Sequence, residues 1–125
     1  MNIPDNLKYT KDHEWIRLEG ETAVIGITDY AQGELGDIIF VEYPSKGDSF
    51  PRGDIFGTVE AVKTVADLFM PLSGEILAVN SGLEDAPEQV NNDPYGEGWM
   101  IKIQASDMTE VEELLDVVSY RNHIS

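Results

Sequence analysis

Lys63 is the side chain in this sequence whose type and setting best suit chemistry. It falls in "GTVEAVKTVADLFMPLSGEI", Gly57 to Ile76, where strand-forming residues run up to a two-residue break and away again. The chain holds only 8 Lys and Arg against 24 Asp and Glu, so a cation at that break is a scarce residue. A plain hairpin turn prefers Asn-Gly or Asp-Gly, and Ala61-Val62-Lys63-Thr64 offers neither. Most turn lysines are simply solvated. Here the missing turn residues and the apolar neighbours Val62 and Val65 argue for a tip that another protein reads. A primary amine on a rigid tip is a reachable nucleophile for acylation and a fixed root for a swinging tether.

Other chemistry finds little support. His13 and His123 are far apart in sequence and lack metal-ligand spacing, so hydrogen-bonding or surface roles are expected for both. No serine sits in a Gly-x-Ser-x-Gly elbow. The glycines form no phosphate-binding loop. In "NNDPYGEG", Asn91, Asp93 and Gly96 echo the opening of a calcium loop, but Pro94 and the apolar Trp99-Met100-Ile101 break the pattern. That stretch is read as a structured turn delivering Trp99 into the core, and no metal is expected. There is no cysteine, hence no thiol nucleophile, disulfide or thiolate site. The net charge of -16 repels phosphate backbones, which argues against nucleic-acid partners. No apolar run reaches the ~20 residues of a membrane span, and "MNIPDNLKYT" has no signal-peptide pattern.

The elements that must position Lys63 are short strands separated by turns. "EWIRLEGETAVIGI" predicts a hairpin around Glu19-Gly20-Glu21, and "TDYAQGELG" one or two helical turns. "DIIFVEY" is a continuous apolar run closed by Pro44, expected to be a strand buried on both faces. Strands at Ile55 to Glu60 and Val65 to Met70 flank Lys63, and another follows the Pro71 to Gly74 turn. "WMIKIQ" alternates, with Trp99, Ile101 and Ile103 facing one way. In the tail, Val111, Leu114, Leu115 and Val118 have helical spacing, and Thr109 with Glu112 has capping-box spacing. An amphipathic helix docked on the chain's own sheet is expected there. Residues 1–125 are read as one domain, with a core over about 7–105 and a helical segment over about 107–124. The class is mainly β, a sandwich or flattened barrel.

The Lys63 stretch resembles the attachment site of biotinyl and lipoyl carrier domains, most closely that of the H proteins of the glycine cleavage system. "HEW" at His13, "IGITDYAQGELGDIIFVEYP" at Ile25, "EAVK" at Glu60, "SGEI" at Ser73, "VN" at Val79 and "NDPYGEGWMIKI" at Asn92 follow that family's pattern, from about Leu7 to the end of the chain. A biotinyl domain would have methionines where Val62 and Thr64 stand, and a lipoyl domain of a 2-oxoacid dehydrogenase would usually be shorter, with an acid just before the lysine. Ala61 for serine, Tyr30 for histidine, and Met70 and Leu72 are departures that leave Lys63 untouched.

The resemblance implies a lipoyl-type hybrid barrel of two small antiparallel sheets, with short helices and a C-terminal helical segment. It implies a non-catalytic carrier with lipoate joined by an amide to Lys63. The lipoyl group would take an aminomethyl group from glycine decarboxylase (P protein) to aminomethyltransferase (T protein), and dihydrolipoamide dehydrogenase (L protein) would reoxidise it. A lipoate ligase or lipoyl transferase would load the arm, with Glu60 and Val62 serving recognition of the attachment site. Glu14 and Asp67 would line a cleft that shelters the loaded arm. Asp67 is expected among apolar groups, on a face shared with Val65 and Phe69. A monomer is expected, cytoplasmic or, in a eukaryote, the mature mitochondrial form. The alternatives are a lipoyl relay for another enzyme complex and a non-carrier acidic binding module.

Overall fold

The computed structural model describes residues 1–125. Two antiparallel sheets carry the chain. The strands are β1 (Lys8–Tyr9), β2 (Glu14–Glu19), β3 (Thr22–Ile27), β4 (Ile38–Glu42), β5 (Ser49–Phe50), β6 (Ile55–Ala61), β7 (Val65–Phe69), β8 (Gly74–Val79) and β9 (Ile101–Ala105). One sheet runs β1-β2-β3-β9-β8-β5 and the other β4-β6-β7. Short helices α1 (Asp29–Leu35), α2 (Gly82–Asp85) and α3 (Gln89–Asn92) fill the connections. A 3₁₀ turn (Met108–Glu113) and α4 (Val117–Ile124) close the chain. The expected hybrid of two small sheets with a C-terminal helix is the observed architecture.

Alternation along the strands divides the interior into two clusters. Ile16 and Ile25, paired across β2 and β3, point into a main cluster of 20 buried residues shared by both sheets. Trp15 points the other way, into a smaller cluster with Leu7, Tyr9, Val24 and Tyr120. Its partner across the ladder is Gly26, where an added Cβ would come within 2.7 Å of the indole. The ring therefore occupies the space that any other residue would fill. The indole N–H donates to the Pro94 carbonyl at 2.9 Å. Thus the "NNDPYGEG" loop caps Trp15, while Trp99, expected in the core, is only half-buried.

Two further expectations are corrected. β4 is not buried on both faces: Ile39 and Phe40 are 51% and 52% exposed. A register shift against β6 falls between Ile38 and Phe40, and such a bulge re-aims consecutive side chains. Asn91 of α3 holds the strand's start, accepting from the Ile38 N–H and donating to the Gly36 carbonyl.

The tail is not one helix, and its apolar stripe does not form. Asp107, not Thr109, caps the 3₁₀ turn, accepting from both the N–H and the hydroxyl of Thr109. Leu114 is extended, because Leu115 exchanges two 2.8 Å backbone bonds with Tyr9. A strand-like tertiary bridge thus outcompetes helix continuation. Asp116 then caps α4 through the Ser119 N–H. Val118 is exposed, and the helix docks through Tyr120, stacked on Tyr9 at 4.6 Å.

Candidate functional site

Lys63 lies at the apex of the β6–β7 hairpin. Glu60 pairs with Val65, and the Ala61 N–H donates to the Thr64 carbonyl at 2.8 Å. None of Ala61 to Thr64 takes a positive φ, so the turn is made without glycine. External support replaces the local preference: the Val62 N–H donates to the Asp37 carbonyl at 3.2 Å, tying the tip to the segment before β4. Lys63 is exposed and takes part in neither of the chain's two ion pairs. Beside it Val62 is 69% exposed and Val65 58%, and Glu60 is exposed in the same cross-strand row as Val65.

Glu14, the first residue of β2, is 1% exposed. Its Oε1 accepts from the Thr10 hydroxyl at 2.7 Å, and its Oε2 from the Phe69 N–H at 3.1 Å. The Thr10 hydroxyl oxygen in turn accepts from the Glu14 N–H at 3.2 Å. Burial pushes the carboxyl up from an ordinary 4.5 to about 8, against the pull of those two bonds. The turn that delivers Glu14 requires His13 to take φ +69°, the sole left-handed non-glycine residue. Glu14 borders a cleft of about 380 Å³ that also meets Thr10, Lys11, Arg52, Phe69 and Leu114.

Asp67 lies on the expected face, and that face is the outward one. Leu68 is the buried residue of β7, so Val65, Asp67 and Phe69 share the outward face, and Asp67 is exposed. It pairs with Thr58 and edges a second cleft of about 300 Å³, lined mainly by Ile27, Tyr30, Leu35, Ala66 and Leu68. Glu14 and Asp67 therefore border separate clefts, and Asp12 borders both. Asp67 is four residues beyond Lys63, about 13 Å at 3.3 Å per residue, and Phe69 about 20 Å.

One cluster was invisible to spacing. His13 and His123 are brought to 5.5 Å between ring centres. His13 Nδ1 shares a 2.9 Å hydrogen bond with the Tyr120 hydroxyl, which meets Thr28 Oγ1 at 2.7 Å. The expected hydrogen-bonding role of His13 is what forms. Burial first, and then His123, hold its pKa below the ordinary 6.5. Nothing local signals this contact, because α4 brings the second histidine across the chain.

The sequence matches the family model for "Glycine cleavage H-protein" over residues 7–125. The chain belongs to the glycine cleavage H-protein family. It is 58% identical to the glycine cleavage system H protein of Bacteroides thetaiotaomicron, over 97% of this chain and 96% of that one. It is 60% identical to that of Chlorobium phaeobacteroides, over 99% and 98%. A crystal structure of a glycine cleavage system H protein from Mycobacterium marinum superposes with a TM-score of 0.89 at 39% identity, covering 96% of this chain and 97% of that one. The H-protein match spans both sheets, the Lys63 hairpin, both clefts and α4.

Proposed function

We propose that this H-protein chain is the lipoyl carrier of glycine cleavage, with Lys63 as its point of attachment. The observation that carries the proposal is a solvent-facing, unpaired amine on a braced apex, with an apolar cleft opening about 13 Å along the same strand. The residues present fit the group: the amine suits an amide link, and Ile27, Leu35 and Leu68 suit a hydrocarbon chain. When attached, the lipoyl group would supply a disulfide, one sulfur taking the aminomethyl unit as the other is reduced to a thiol, and then a dithiol to be reoxidised.

Glycine decarboxylase, aminomethyltransferase and dihydrolipoamide dehydrogenase are the three enzymes it serves, and a lipoate ligase or transferase loads it. Tethering makes each encounter a matter of reach at high effective concentration. The chain itself is a carrier and not a catalyst. Its residues position the arm: the hairpin fixes the root, the apolar cleft shields the chain from water, and Glu14, in the neighbouring cleft that meets it at Asp12, offers a carboxyl to a cationic amine at the arm's end. No helix is long and apolar enough to cross a membrane; a monomer acting in the cytoplasm belongs to the same proposal.

The test is loading. Lipoylated chain incubated with glycine and purified glycine decarboxylase should gain one aminomethyl unit by intact mass, and unlipoylated chain should gain none. Equal masses before and after incubation of the lipoylated form would contradict the proposal.

A further inference from the structure

We infer that the outward face of the three-stranded sheet is the docking surface for the enzyme that acylates Lys63, an inference that rests on the carrier reading above. Phe40, Glu60 and Val65 form one row across β4, β6 and β7, with strands about 4.8 Å apart. Phe40, Val65, Ile39 and Val62 are each more than half exposed. They are half of the chain's eight large exposed apolar residues, gathered at one end of one sheet. Such clustering marks an interaction site, whereas scattered apolar residues need no explanation. The bulge in β4 creates the patch by turning Ile39 and Phe40 outward together. Glu42, Thr58 and Asp67 form the next row on the same face, so acids stand both between Phe40 and Val65, at Glu60, and directly behind them.

The occupant follows from where each partner must act. An acylating enzyme has to bring an activated lipoyl carbonyl, as an acyl adenylate, to Nζ itself. The neutral amine attacks, the amide C–N bond forms, the C–O bond to the adenylate breaks, AMP leaves with the electron pair, and the proton shed by the nitrogen passes to solvent. That enzyme must cover the apex and its flanks. Partners that act on the sulfurs work at an arm's length and are under no such constraint. The partner's complementary surface is an apolar groove with basic side chains on the side facing Glu42 and Asp67.

The test uses full-length chain and a purified lipoate ligase with lipoate and ATP. Phe40→Thr combined with Val65→Thr should raise KM for the chain about tenfold, as loss of buried interface anchors does, with kcat and melting temperature little changed. The ligase should bind Lys63→Arg chain about tenfold more weakly when the same two substitutions are added. Should the apolar variant fold poorly, Glu42→Lys gives an independent reading: a raised KM at low salt that returns towards the native value at high salt. KM and Kd within twofold of native for the folded variants overturn the inference, as does unchanged acylation with slowed loading by glycine decarboxylase. Acylation of Lys63→Arg would instead sink the carrier reading, so the two failures are distinct.

Discussion

Raising the pH from about 5 to about 9 should lower the melting temperature of the native chain by roughly 10 °C more than that of Glu14→Gln. Burial raises the folded-state pKa of Glu14 from 4.5 to about 8, so between those values the folded chain holds a proton that the unfolded chain has released. Stability therefore falls as pH rises through that window and levels off above it. At about 1.4 kcal/mol per pKa unit, the effect is on the order of 4 kcal/mol. Gln is the neutral isostere: its Oε can accept from the Phe69 N–H, and its amide can donate to Thr10 Oγ1. Groups elsewhere titrate equally in both proteins and cancel in the difference. Parallel melting curves across the range would show that Glu14 ionises as an ordinary exposed carboxylate.

The same carboxyl should govern how long an aminomethyl cargo survives with no enzyme present. A cationic amine reaching Glu14 favours the ionised carboxyl, whose proton passes to solvent, and gains a charge-assisted bond to it at a buried site. Glu14→Gln keeps the shape without the charge. Spontaneous loss of the cargo, followed by intact mass, should accelerate about tenfold or more, the scale of a hydrogen bond to a charged group. Asp67 is exposed, and a surface ion pair is worth about 0–1 kcal/mol, so Asp67→Asn should accelerate the loss less than about fivefold. Lipoylation of Lys63 should persist in both. Equal decay in native and Glu14→Gln protein would remove Glu14 from any guarding role.

What the sequence made legible was local. The Gly20 turn gives the β2–β3 hairpin, with Glu19 paired to Thr22, and the break at Lys63 gives the hairpin that presents it. What escaped depends on contacts between distant segments. The unbroken apolar run marks Ile39 and Phe40 as core, because a bulge has no signature in such a run. Helical spacing in the tail is real, yet Leu115 is taken by Tyr9 and the helix breaks. For Asp67, alternation along the strand places it on the face of Val65 and Phe69. Which side faces water is set by Leu68 packing into the core, a contact between distant segments. Glu14 was picked out by resemblance, but its burial and its bond to the Phe69 backbone come from two sheets meeting.

The most direct measurement of the central claim is the intact mass of the native chain and of Lys63→Arg after incubation with lipoate ligase, lipoate and ATP. Arginine keeps the charge but offers no amine that this chemistry can acylate. The native chain should gain a single lipoyl group and the variant none. A lipoyl gain on Lys63→Arg, or none on the native chain, would contradict the account.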